Sequence, residues 1–387
     1  MHASCSVFVQ LLKTIPRAEF EQLAVQYQSE RHARGFTSWQ QLVAMLFCHL
    51  GKAHSLREIE YGLSSAEGKL SHLGVKVPPR STLAYANAHR PWPLFEAVFY
   101  ALAERCAAVQ RGKHRLRFRN PLRSIDSTTM DLVSNMFDWA KYGKSKGALK
   151  LHLMLDHDGL LPRFAVVTDG QGADIAVGRQ MPTEPGSIFV FDRGYVDYEW
   201  FRSLGQRGVH FVTRLKKNAH FEVIEDRVVP QNRSIILDQL VEVYDVGKRR
   251  SPSYKPLRLR RIEVVDPNDG KQLVIYSNLL SFGATTIARI YKERWQIELF
   301  FKTLKQNLKI KTFIGTSANA LWIQMWTALI AMLIVRYLKL KSECGWCLSN
   351  LFAMLRFHLF AHRDLMEWLR NALTDPPSPH AEQLKLV

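Results

Sequence analysis

The stretch SIFVFDRGY, residues 187–195, constrains the fold most. Ile188 to Phe191 form an unbroken apolar run that stops abruptly at Asp192. A strand exposed on one face alternates apolar and polar residues, whereas an unbroken apolar strand has both faces covered. The surroundings supply the cover. LRSIDSTTMDLV reads as a strand ending in a polar turn, and ALKLHLMLDHDGLLPRFAVVTDG as two strands joined by a tight turn at Asp158 and Gly159. A helix containing ADIAVGRQM precedes the apolar strand, and the helix YEWFRSLGQRG and the strand HFVTRL follow it. Three strands, a helix, a strand, a helix and a strand are the outline of an α/β ribonuclease-H-like core.

Around this core the pattern changes. Residues 1–110 read as short helices. FTSWQQLVAMLFCHLG has helical apolar spacing, Ser55 and Glu58 suit a capped helix start, LGVKVPP breaks the pattern, and RSTLAYANAHRPW starts again with Ser81 as cap. Helix, break and short basic helix is a helix-turn-helix-like outline of an all-α DNA-binding domain, with Arg80, Asn87 and Arg90 as groove or phosphate contacts. Solvated surface residues would give the same pattern. A run rich in Lys and Arg, RGKHRLRFRNPLR, leads into the core, which takes residues 111–215. Residues 216–283 read as a β-rich insertion broken by Pro, Gly and Asn. Arg258 and Arg260 share one strand face there, suited either to gripping phosphates or to protecting an edge strand. The core resumes over 284–315, a helical C-terminal region follows over 316–373, and 374–387 is a disordered tail.

The formal net charge of +18 calls for a polyanionic partner. A membrane is the competitor, but the most apolar run, 321–335, is shorter than the roughly 20 residues a spanning helix needs and reads as a core helix. No secretory signal is visible, and five cysteines, an odd number, suit a reducing cytosol. The single CxxC, Cys344 and Cys347, lacks the partners of a zinc site and reads as two packed cysteines. Nucleic acid in the cytoplasm is the expected partner, which the resemblance given below narrows to double-stranded DNA.

The chemistry lies in carboxylates. Asp126 and Asp192 each end a buried-looking strand, where side chains project into a common crevice. In IYKERWQIELFFKTLKQNLKI, residues 290–310, a single helix would place Tyr291, Arg294, Glu298 and Lys305 within an arc of roughly 60°, bordering the apolar stripe. A surface helix with ion pairs is the bland reading. The other is that Glu298 joins Asp126 and Asp192. Three clustered carboxylates repel one another unless they hold protons or cations, and oxygen-only ligands select Mg²⁺, with Mn²⁺ able to substitute. Two such ions about 4 Å apart drive in-line attack at a phosphodiester. Tyr291, Arg294 and Lys305 would then position phosphates. Asp131 is the main rival to Asp126; Asp156, Asp158 and Asp169 also lie near strand ends, and Asp138, Lys141 and Lys144 have no assigned role.

Tyr291, Arg294, Glu298 and Lys305 match the Y-x2-R-x3-E-x6-K signature of bacterial insertion-sequence DDE transposases, and the chain resembles that group (the insertion sequence four family). IDST resembles the segment with its first catalytic Asp and FDRGY the segment with its second, which adds Arg193 and Tyr195 to the phosphate-positioning residues. The long interval between Asp192 and Glu298 resembles the family's β-rich insertion. The resemblance implies an enzyme that binds the terminal inverted repeats of its own element, cuts the element out and joins it to target DNA. It also implies a homodimer paired on two ends, working in the bacterial cytoplasm at the nucleoid. Type members stack a flipped base on an insertion Trp; none lies between Trp200 and Trp295 here, which leaves the base trap open, with Tyr244, Tyr254 and Tyr276 as candidates to substitute. The alternatives are a transposase-derived repressor without activity and another ribonuclease-H-like nuclease, such as a junction resolvase.

Overall fold

A computed structural model of the chain describes residues 5–31, 33–66, 75–110, 118–131, 148–169, 173–216, 218–229, 231, 234–245, 255–265, 270–308, 310 and 313–371. Asp138, Lys141, Lys144, Tyr254, the start of the basic run and the 374–387 tail lie outside these residues, as do the side chains of Asp131 and Asp169. The described residues form two compact units, one of residues up to 110 and from 302 onward, the other of residues 118–301.

The described elements up to residue 110 are helices: α1 (Val7–Leu12), α2 (Arg17–Gln26), α3 (Ser38–Leu50), α4 (Leu56–Ser64), α5 (Arg80–His89) and α6 (Pro93–Gln110). α3 starts with a capping box, Thr37 and Gln40, and every one of its residues is buried. α4 starts at Ser55, whose hydroxyl accepts the Glu58 amide. α5 begins at Arg80 rather than at the expected Ser81 cap, because Pro79 takes the N-cap position.

The second unit carries β1 (Leu122–Asp131), β2 (Ala148–Asp156), β3 (Leu161–Asp169), α7 (Asp174–Gly178), β4 (Ile188–Phe191), a 3-10 turn (Arg193–Tyr195), α8 (Tyr198–Gln206) and β5 (His210–Thr213). These five strands lie in the order β3-β2-β1-β4-β5, with β2 antiparallel to β1 and β3, and β4 parallel to β1 and β5. This is the ribonuclease-H-like arrangement. Gly159 in the β2–β3 turn has φ +84°, which favours glycine. The apolar run of β4 follows from burial on both faces. Phe189 and Phe191 pack with Trp200, Phe201 and Phe211, while Ile188 and Val190 pack with Val212, Ile287 and Ile290.

The insertion contributes β6 (His220–Asp226), β7 (Ile235–Tyr244), β8 (Leu257–Val265) and β9 (Gln272–Ser277). They extend the core sheet rather than standing apart. β9 pairs antiparallel with β5, and the order continues β9-β8-β7-β6 to give nine strands. Val241, Val243, Leu259 and Ile262 share the same apolar layers as the core strands.

α9 (Ala284–Glu293) and α10 (Trp295–Asn307) take the place of the single helix expected over 290–310. The break is at Arg294, where the Arg294 amide bonds to Tyr291 O and the Ile297 amide to Arg294 O, each three residues back. The angular count from Tyr291 to Glu298 therefore does not hold across the break. α11 (Ala318–Ser342), α12 (Leu348–His358) and α13 (Leu365–Asn371) complete the first unit, α11 packing against α3, α5, α6, α12 and α13. At 25 residues α11 exceeds the apolar run read from sequence, and it is long and apolar enough to cross a membrane. However, 83% of its most apolar window is buried inside the protein, which makes it a core helix. Of the two cysteines, Cys344 is buried and Cys347 is exposed at the N-cap of α12, so they are not a packed pair.

Candidate active site

The register of β1 and β4 brings two aspartates together. Ile125 is the last residue of β1 paired with β4, and its partner Phe191 is the last of β4. Asp126 and Asp192 come next in each chain, side by side on neighbouring parallel strands. Asp126 does not end its strand, as expected from sequence: β1 runs on to Asp131 along β2, and what ends at Asp126 is the pairing to β4. β4 stops because the Asp192 carboxylate accepts the Gly194 amide at 2.8 Å and winds the chain into the 3-10 turn.

Glu298 reaches the same place through an arginine. It lies in the first turn of α10, where its Oε1 accepts from Arg294 Nη2 at 2.6 Å, and Arg294 Nη1 stands 3.7 Å from Asp126 Oδ2. The guanidinium is thus a counter-ion shared by two carboxylates and lies over the Tyr291 ring, 5.9 Å from its centroid. Burial pushes the Asp126 carboxyl up to about 7. The charges of Asp192 and Glu298 add to this, while the Ser127 amide, donating to Oδ1 at 2.8 Å, and Arg294 oppose it. Among the described residues, no three His, Cys, Asp or Glu side chains are gathered closely enough to hold a metal ion as they stand. The donor chemistry nevertheless fits one. The three side chains offer only oxygens, and Arg294 leaves their charge incompletely balanced, which is the setting a hard divalent cation takes.

The raised carboxyl fixes the sign of a pH effect. An unfolded Asp titrates near 4, so the folded protein holds this proton more tightly. The contribution to stability is full below about pH 4 and is lost as the pH rises to about 7. A bound divalent cation needs the ionised form. Mg²⁺ should therefore raise the melting temperature more at pH 8 than at pH 6. Equal shifts at both would show that Asp126 takes no part in binding.

Other residues marked in the sequence fall differently. Tyr195 is fully buried with Phe191 and Trp200, and Tyr291 is buried beneath Arg294, so neither presents its ring to a phosphate; Tyr291 instead supports the arginine. Arg193 is half-buried in the turn after Asp192, and Lys305 is half-buried two turns beyond Glu298 on α10. Asp156 is held by Arg163 at 3.2 Å, away from the triad. The shared strand face of Arg258 and Arg260 is not open: Arg258 is exposed but bonds Glu242 at 3.0 Å, and Arg260 is buried against Asp238. Asn87 is buried and accepts from Gln41 at 2.7 Å, while Arg90 donates to Phe36 O and Gln41. Both are internal pins, not groove contacts. Arg80 is exposed, on a face of α5 that it shares with Ser81, Ala84, Tyr85 and His89. The Tyr85 ring, 67% exposed, stacks on His89 at 4.1 Å.

Two residues were not singled out from sequence. Trp295, 56% exposed, directly follows Arg294. Asp174, the first residue of α7, accepts from Ser127 Oγ at 2.7 Å and pairs with Lys150 at 2.7 Å. An acid at a helix start is so common that it gave no signal.

Residues 117–334, more than half of the chain, match the family model described as a transposase DDE domain, and residues 3–76 match a domain of unknown function (DUF4372). A putative transposase y4zB of Sinorhizobium fredii is 34% identical over 78% of this chain and 85% of its own length. A probable transposase for insertion sequence element IS5377 of Geobacillus stearothermophilus is 28% identical over 74% of each. A putative transposase for insertion sequence element IS4SA of Synechocystis is 26% identical over 75% of this chain and 81% of its own. With the family model, these relatives and two aspartates side by side at the end of a shared strand register, the chain belongs to the bacterial insertion-sequence transposases of the DDE class.

Proposed function

We propose that this protein is a DNA transposase that binds the terminal inverted repeats of its own insertion sequence, cuts the element out and joins it to target DNA. The observation that supports the reading is the meeting of Asp126 and Glu298 at Arg294, with Asp192 beside Asp126 where the β1–β4 pairing ends. Asp126, Asp192 and Glu298 would hold two Mg²⁺ ions, with Mn²⁺ as substitute. When bound, the ions supply Lewis-acid activation of the attacking oxygen and neutralise the leaving 3′ oxygen.

The protein's own residues do the rest. Arg294, relieved of its role as counter-ion, turns a planar fork toward a phosphate and holds two of its oxygens. Tyr291, packed against it, limits the directions the guanidinium can take. Lys305 and Arg193 add positive charge for the flanking backbone. In hydrolysis a water oxygen bonds to phosphorus as the bond to the 3′ oxygen breaks. In strand transfer the freed 3′ hydroxyl loses its proton and bonds to a target phosphorus as the bond to the target 3′ oxygen breaks and that oxygen takes up a proton. The expected working form is a homodimer on two element ends in the bacterial cytoplasm.

End recognition belongs to the outward face of α5. It carries no acid, two of its members are Arg80 and the exposed Tyr85, and α4 beside it exposes Tyr61. The test is a labelled duplex ending at the element terminus. Wild-type protein should cut it in Mg²⁺ and not in EDTA. Arg80→Ala should weaken capture of any duplex and lower the salt slope by about one. Tyr85→Ala should weaken the terminal repeat more than a scrambled duplex. No metal-dependent cutting at the terminus would overturn the functional reading, and two unchanged variants would remove α5 from recognition.

A further inference from the structure

Asp174 sits in α7, outside the triad, yet it touches both arms that carry the catalytic aspartates. Its Oδ1 accepts from Ser127 Oγ at 2.7 Å, and Ser127 directly follows Asp126. Lys150 Nζ lies 2.7 Å and His152 Nδ1 3.5 Å from the same oxygen. Ser127 is opposite His152 in the β1–β2 register, and Lys150 is two residues along β2. All three therefore rise from one face of the sheet, the face away from Asp126. The other carboxylate oxygen meets the second arm. A Cβ placed on Gly194 would lie 3.3 Å from Asp174 Oδ2 and 3.0 Å from Asp192 Oδ1. The backbone just after Asp192 thus runs close between two carboxylates, and a larger residue there would crowd both.

An acid that merely favoured the start of a helix would face the helix amides. α7 has five residues, and the partners of Asp174 come from β1 and β2. Nor does Asp174 stand as a further ligand in waiting, since Lys150 already balances its charge. What it does is hold Ser127 while its other oxygen stands close to the 193–195 turn.

We propose that Asp174 is a positioning residue that fixes Asp126 and Asp192 at the separation a divalent cation requires. This rests on the metal-dependent reading above. Residues that orient metal ligands from behind typically change metal affinity or activity by about 10- to 100-fold when replaced.

The test uses full-length protein and three measurements on Asp174→Ala and Ser127→Ala: the Mg²⁺ concentration for half-maximal thermal stabilisation without DNA, cleavage of the labelled end, and capture of that end. Ser127→Ala removes one hydroxyl and keeps the amide that serves Asp126. The Mg²⁺ midpoint should rise about tenfold in Asp174→Ala and less in Ser127→Ala. Cleavage at low Mg²⁺ should fall in parallel and recover at saturating Mg²⁺, with end capture unchanged. Variants that melt lower but keep the wild-type midpoint would reduce Asp174 to a structural residue and overturn the proposal. If Asp174→Ala does not fold, the Ser127→Ala midpoint decides by the same criterion. A wild-type protein that neither cuts nor responds to Mg²⁺ would overturn the functional reading and this inference together, whereas a wild-type response unchanged in the variants overturns the inference alone.

Discussion

Glu298→Gln should lower cleavage of a labelled element end by about 10³-fold or more, the scale of losing a charge that stabilises the transition state. Capture of the same end in a gel shift should stay within about twofold, because the swap keeps shape and α10 keeps its apolar face. Asp126→Asn and Asp192→Asn should behave alike, since in the proposed reaction the three charges act on one reacting phosphate and such effects do not add. Arg294→Ala separates the roles. It removes the counter-ion that stands at Asp126 and Glu298 and the fork that would grip phosphate, so capture and cleavage should fall together. Wild-type cutting by Glu298→Gln would leave the Arg294–Glu298 contact an ordinary helical ion pair. Inactive Asp131→Asn beside active Asp126→Asn would move the first member of the triad five residues along β1.

How much of this could be read in the chain depends on whether a contact leaves a mark on residue type. Burial does. The apolar run of β4 showed a strand covered on both sides and where it ends, because each face must be filled. Strand pairing does not. Nothing in IDST or VFDRG says that Ile125 and Phe191 share a register, and that register is what sets Asp126 beside Asp192. For the same reason β6–β9 were legible as strands but not as an extension of the core sheet through β5 and β9. Arg294 and Glu298 met although the long helix breaks at Arg294, because only the first turn of α10 lies between them. Polar residues misled most. Asn87 and Arg90 look like groove contacts in sequence, yet they spend their hydrogen bonds on Gln41 and Phe36, since a bonded core amide and a DNA-reading amide are the same residue type. Asp174 left no mark because its partners come from separate strands.

Arg260→Ala should destabilise the protein by about 3–5 kcal/mol, a large part of the roughly 5–15 kcal/mol that holds a typical domain folded. Arg260 and Asp238 side chains are each 4% exposed, with Arg260 Nε bonded to Asp238 Oδ1 at 2.8 Å and a second bond between Nη2 and Oδ2. Arg260 Nη1 also donates to Leu280 O at 3.1 Å and Phe282 O at 2.6 Å, in the segment that leads into α9. Strand alternation puts Arg258 and Arg260 on one face, but that segment covers the face at Arg260 and leaves Arg258 exposed in its ion pair with Glu242. Truncating Arg260 strands a buried carboxylate and frees the approach to the helix that ends at Arg294, so the loss should appear as a lower midpoint in urea before any effect on DNA. The double variant Arg260→Met, Asp238→Leu distinguishes this role from a phosphate contact. With no charge left unpaired, it should recover most of the stability and capture the element end with the wild-type salt slope. A recovered fold with a flattened salt slope would instead return Arg260 to the DNA-binding surface.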